Sequence, residues 1–93
     1  MTISEIKSKV LEIVSDYPIS KIMLFGSRAT QNNRNDSDVD LIIEFYENIS
    51  LLTLSDIKIR LEDLLGLDVD IIHGPLDGTE LIEINKVVEL YAA

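Results

Sequence analysis

Cysteine is absent from the 93 residues, which removes disulfide frameworks, thiolate metal sites and thiol nucleophiles. Basic residues are scarce. Only 8 lysines and arginines stand against 17 aspartates and glutamates, for a net charge of −9. Such a chain repels phosphate backbones, and its scattered cations form no basic run, so a nucleic-acid polymer is not an expected partner. No stretch approaches the roughly 20 apolar residues of a membrane span, and Met1 to Lys9 lacks the basic and apolar regions of a signal peptide. No membrane is therefore expected, and a cytoplasmic location is. Repeats, low-complexity tracts and linkers are missing too, so residues 1–93 read as a single domain. A chain of this length buries only about 60% of its unfolded surface, which leaves little room for a long cleft with its own second domain.

What is present is ordered by hydrophobic period. Thr2-Ile3-Ser4-Glu5 can form a capping box, and Ile3, Ile6, Val10, Ile13, Val14 and Tyr17 recur at helical spacing until Pro18 stops the pattern. Ile22-Met23-Leu24-Phe25 is short, apolar and closed by Gly26, which suits a buried strand. Ser27 to Gln31 is read as a short helix, and Asn32 to Ser37 as loop. From Val39 to Phe45 the odd positions alternate with Asp40, Ile42 and Glu44, predicting a second strand. Ser50 to Leu65 returns to helical spacing, with Gly66 as its cap, and its leucines from Leu51 onward are read as core. Val69 to Ile72 predicts a third strand and His73-Gly74-Pro75 a break, with the lone histidine a loop residue. A short helix from about Thr79 to Asn85 and a closing edge strand from Val87 to Tyr91 complete the reading. The fold class that results is α+β: a small mixed sheet with helices packed on one face.

Two clusters carry chemistry. On a strand, residues two apart face the same way, so Asp38 and Asp40 project from one side with Cα atoms about 7 Å apart. A divalent cation removes their repulsion, and hard oxygen donors of this kind suit Mg²⁺, which keeps waters and shares its coordination with substrate phosphates. Asp68-Val69-Asp70 repeats the triplet at the head of another strand; if the two strands are neighbours, three or four carboxylates meet on one rim. Gly26-Ser27, where a strand turns toward a helix, offers backbone N–H groups, a positive dipole end and a hydroxyl to a phosphate. Either signal alone is an ordinary turn or a solvated strand edge. Their combination is one that structure alone does not require.

Leu24-Phe25-Gly26-Ser27-Arg28-Ala29, followed after a polar loop by Ser37-Asp38-Val39-Asp40-Leu41, resembles the signature of the minimal nucleotidyltransferases of the DNA polymerase beta superfamily. The order of elements agrees over nearly the whole chain. The resemblance implies the polymerase beta-like nucleotidyltransferase fold, with Gly26 and Ser27 gripping a nucleoside triphosphate and Arg28 offsetting pyrophosphate charge. Asp38 and Asp40 would bind two Mg²⁺ ions, and Asp70, rather than Asp68, would complete a carboxylate triad. This chain has Thr30-Gln31-Asn32 where family members often carry a glycine, a departure in the loop but not in the ligands. The implied reaction is transfer of a nucleoside monophosphate, most simply AMP from ATP, to a hydroxyl acceptor.

Minimal nucleotidyltransferases of this kind are often antitoxin partners of HEPN toxins, small helical ribonucleases, so a tyrosine of such a toxin is the implied acceptor. A HEPN-type toxin, or a second copy of the chain, would supply the acceptor specificity that so small a domain lacks. The alternative is a catalytically silent module that neutralises its partner by contact; a complete set of like charges argues against it. A calcium loop is a third reading, since Asp36, Asp38, Asp40 and Glu47 fall at positions one, three, five and twelve of an EF-hand loop. Leu41 stands where that loop needs glycine, which decides against it. Tyr17, Tyr46 and Tyr91 are too dispersed to form a base-stacking platform.

Overall fold

A computed structural model describes residues 2–25, 38–75 and 87–93. Helix α1 (Ile3–Leu11) begins in the expected capping box: the Thr2 hydroxyl accepts from the Glu5 amide, and the Glu5 carboxylate accepts from the Thr2 amide. The helix ends earlier than its hydrophobic spacing suggests. Val14–Asp16 form a single 3₁₀ turn, and Tyr17 is extended, because the chain must already turn toward strand β1 (Ile19–Phe25) ahead of its pairing. That strand starts three residues before the apolar run, since Ile19 and Lys21 pair with Phe45 and Glu44. Strand β2 (Val39–Phe45) has the predicted bounds. Helix α2 (Leu51–Leu65) is capped by the Ser50 hydroxyl, which accepts from the Thr53 amide, and is closed by Gly66 in the left-handed region at φ 68°. Strand β3 (Val69–His73) takes in His73, and strand β4 (Val87–Ala92) closes the fold.

The four strands lie in the order β3-β2-β1-β4. β1 pairs antiparallel with both β2 and β4, while β2 pairs parallel with β3. The parallel pair needs a crossover, which α2 provides. One face of the sheet supplies Ile22, Leu24, Val39, Leu41, Ile43, Val69 and Leu90 to a core completed by Ile6, Val10 and Ile13 from the α1 region and Ile57, Leu61 and Leu65 from α2. Each is buried. Burying a side chain of this class is worth about 1.5–3 kcal/mol. Both helices therefore sit on a single face, as an α+β layer fold requires, and β2 residues of the other parity, Asp40, Ile42 and Glu44, look away from them.

Two expectations are corrected. Leu51 is not core: at the first turn of α2 it is 84% exposed, and Leu52 beside it is 83% exposed. The helix reaches its packing contacts only from its second turn onward, where Ile57, Leu61 and Leu65 meet the sheet. His73 is not a loop residue, since it pairs with Ile43 and its ring stacks on Phe45 with centroids 5.2 Å apart. The helices predicted at Ser27 to Gln31 and Thr79 to Asn85, and the loop at Asn32 to Ser37, lie outside the described residues.

Candidate active site

Parallel pairing of β2 with β3 sets Val39 against Val69 and Asp40 against Asp70. The register is fixed at its start by the Val39 amide, which donates to the Asp68 carbonyl at 2.9 Å, and at its end by the Gly74 amide, which donates to the Ile43 carbonyl at 2.8 Å. A slip of one residue would turn the apolar face of β3 outward, so core burial and acid placement are set by the same constraint.

The consequence is electrostatic. Burial, then the negative charges of Asp70 and Asp38 and hydrogen bonding to the Asp70 carboxyl, hold the Asp40 carboxyl above the ordinary carboxylate range. Asp40 is half-buried, whereas Asp38 and Asp70 are exposed. Three of the residues singled out from the sequence are thus brought into one electrostatic group. Asp68 goes elsewhere: it lines a depression of about 400 Å³ with Glu62, Asp63, Gly66 and Leu67 at the C-terminal end of α2. Gly26, Ser27 and Arg28 lie outside the described residues.

The donor set fits Mg²⁺ chemically, being hard carboxylate oxygens, one of which has its proton affinity raised by burial and then by its neighbours' charges. Among the described residues no three acidic or histidine side chains are gathered into an ion-enclosing cluster as they stand. Mg²⁺ asks less than enclosure, since one or two carboxylates plus waters and substrate phosphates suffice.

The edge of β3 is held by α2. Lys58 Nζ donates to the Val69 carbonyl at 2.5 Å, the Val69 amide donates to Glu62 Oε2 at 3.0 Å, and the two side chains form an ion pair at 3.4 Å. One helix-spaced pair thereby satisfies both outward backbone groups of the residue preceding Asp70. The Val69 amide and Lys58 hold the Glu62 carboxyl below its ordinary range. This clamp escapes sequence reading, because Lys58 and Glu62 look like any exposed i,i+4 pair. Beside it a cavity of about 300 Å³ opens, lined by Leu51, Leu54, Ser55, Lys58, Asp70 and Ile71.

Residues 8–89 match the family model described as Polymerase beta, Nucleotidyltransferase, and the chain belongs to that family of nucleotidyltransferases. Among relatives, a Methanocaldococcus jannaschii protein provisionally named protein adenylyltransferase MJ1217 is 43% identical over 83 residues, 80% of this chain and 85% of that one. Protein adenylyltransferase MntA of Thermococcus cleftensis is 36% identical over 76 residues, 77% of each chain. A solved chain from a tri-AMPylated Shewanella oneidensis HEPN toxin in complex with MNT antitoxin superposes with a TM-score of 0.71 at 18% identity, over 97% of this chain and 72% of that one. At that identity the likeness speaks for the fold. Membership confirms the resemblance drawn from the Gly-Ser and Asp-Val-Asp motifs and establishes the chain as an enzyme class. Among the described residues no helix is long and apolar enough to cross a membrane.

Proposed function

We propose that the chain is a Mg²⁺-dependent protein adenylyltransferase that moves AMP from ATP to a tyrosine hydroxyl of a HEPN-type toxin, and so acts as its antitoxin. The observation that carries this reading is the registration of Asp40 against Asp70 with Asp38 beside them; burial, and then these neighbouring charges, raise the proton affinity of Asp40. An arrangement that costs stability when empty is expected where function sets the residues. The adenylyltransferase names of the relatives and the AMPylated HEPN toxin in the structural neighbour support the acceptor class.

Asp38, Asp40 and Asp70 would hold the metal, which when bound neutralises charge on the reacting phosphate and on both the attacking and leaving oxygens. Gly26 and Ser27 bind the triphosphate through backbone N–H groups and a hydroxyl, and Arg28 offsets charge on the leaving pyrophosphate. Asp70, exposed on the edge strand, is the acid an approaching acceptor reaches. It accepts the proton of the acceptor hydroxyl as that oxygen bonds to the α-phosphorus. The bond from the α-phosphorus to the bridging oxygen breaks, giving an AMP ester and pyrophosphate.

The test is transfer of label from α-labelled ATP to a HEPN toxin, with pyrophosphate release measured in parallel. Asp38→Asn with Asp40→Asn should abolish both while leaving toxin binding intact. Toxin neutralised by the wild-type protein without label transfer would instead identify a steric antitoxin.

A further inference from the structure

We infer that the outer edge of β3 at Ile71 and His73 is a docking site for an extended segment of another protein, one that alternates apolar and basic residues and joins the sheet as a fifth strand. The inference goes beyond adenylyl transfer and needs none of its steps. Backbone direction carries it. In the parallel β2–β3 ladder the Asp68 carbonyl accepts from the Val39 amide and the Gly74 amide donates to the Ile43 carbonyl, so the even residues of β3 turn their backbone groups toward β2. The odd residues, Val69, Ile71 and His73, turn theirs outward. Lys58 and Glu62 satisfy the outward groups of Val69; among the described residues no strand lies beyond β3 to satisfy those of Ile71 and His73. An edge open in this way is a template for one more strand. The opposite edge is a poorer one, because β4 carries an extra residue, Leu90, against β1, and such a bulge twists an edge away from further pairing.

The two faces of the added strand set its composition. Residues opposite Ile71 and His73 point to the α2 side, where the cavity of about 300 Å³ beside Leu51, Leu54, Ser55 and Ile71 has room for an apolar side chain. Leu51 is exposed at this cavity, and an added strand would cover it. Residues opposite Asp70 and Ile72 point to the other face, where Asp70 and Asp40 lie side by side, so a basic side chain there meets charge of opposite sign. A second copy of this chain fits less well, since pairing two β3 edges brings together two acidic rims on molecules that each carry −9.

Amide spectra and hydrogen exchange of the ¹⁵N-labelled full chain test this with acetylated, amidated Arg-Leu-Arg-Leu-Arg. In the free protein the Ile71 and His73 amides should exchange faster than those of Ile72 and Gly74, which face β2, and the peptide should slow the first pair about tenfold or more. Glu-Leu-Glu-Leu-Glu, which has the wrong charge, and Arg-Arg-Leu-Leu-Arg, which does not alternate, should each bind about tenfold or more weakly. Alternate amides of the peptide face the edge and the solvent, so N-methylating its leucines and N-methylating its arginines should weaken binding unequally. Ser55→Trp, which fills the cavity, should weaken the peptide about tenfold. Equal loss from the two methylated peptides, equal binding of the peptide that does not alternate, unchanged affinity in Ser55→Trp, or perturbation confined away from Ile71 and His73 overturns the inference. Protection of these two amides that grows with protein concentration before any peptide is added also overturns it, and gives the edge to a second copy.

Discussion

Asp40 and Asp70 face one another across the parallel β2–β3 pair, and the charge on Asp70 helps to hold the Asp40 carboxyl above its ordinary range. The two strands that share the core on one face thus share a repulsion on the other. Because the valines at 39 and 69 must be buried together, the aspartates that follow them are brought together by the register and against the repulsion of their charges. Fold stability supplies what the acid pair costs.

That repulsion predicts an unusual pH response. A carboxyl whose folded pKa is raised binds its proton more tightly in the native state, so its ionisation destabilises the fold above the folded pKa. The penalty diminishes as pH falls through that value and is gone below the unfolded pKa. Asp40→Asn should therefore stabilise the metal-free protein near neutral pH, by up to about 1 kcal/mol after allowance for solvent screening. The gain should shrink toward zero below pH about 4. Urea denaturation of both proteins across this range, with chelator present, measures the difference; a variant less stable than wild type near neutrality would mean that Asp40 is a paired structural acid.

Asp70→Asn separates chemistry from nucleotide binding. Asparagine keeps the size and an oxygen donor but loses the charge and cannot take a proton from the acceptor. Label transfer should fall by at least about 10²-fold, the usual lower scale for loss of a positioned base. Affinity for AMP-PNP should change by much less, since the Gly26-Ser27 phosphate site is untouched. A parallel loss of both would place Asp70 in ground-state binding rather than in the transfer step.

Ser27→Ala probes the phosphate site in the same assay. It removes one hydroxyl donor but leaves the backbone N–H groups, so ATP binding should weaken by about 1–2 kcal/mol with an unchanged melting temperature. Calorimetric titration with AMP-PNP and Mg²⁺ reads the first quantity and a thermal scan the second. Unaltered affinity would make Ser27 a turn residue only.

How much of this was legible in the sequence varies with the kind of signal. Val39–Phe45 alternates strictly in its outer positions and is bounded by polar loop and turn residues, so its limits could be read directly. The capping box at Thr2 and the left-handed Gly66 are local chemistry and were equally plain. The Asp-Val-Asp repeat showed that two strands carry acids and the family resemblance pointed to Asp70 rather than Asp68, while the register that sets Asp70 against Asp40 comes from the strand pairing. Leu51 misled because helical period reports which residues share a face, not how far along a helix its partner extends. His73 misled because Gly74-Pro75 reads as a break, while the pairing of β3 carries on until the Gly74 amide has reached Ile43.

Gly74 supplies the last prediction. A Cβ there would lie 2.7 Å from Glu44 Cγ and 3.2 Å from Ile42 Cγ2, and Ile42 is fully buried. Gly74→Ala should therefore cost about 1–3 kcal/mol through overpacking. The nearer clash involves a side chain that can be removed, which divides the cost between its two sources. In a Glu44→Ala background the Glu44 contact is gone, and only the Ile42 contact, within reach of a small adjustment, is left. The penalty of Gly74→Ala should then fall below about 1 kcal/mol, with the difference appearing as a coupling energy between positions 44 and 74. The four proteins of this cycle, compared by urea denaturation, give that coupling. Additive effects would show that the two residues do not meet and that the end of β3 sits farther from β2 than the Gly74–Ile43 hydrogen bond implies, loosening the same register that sets Asp70 against Asp40.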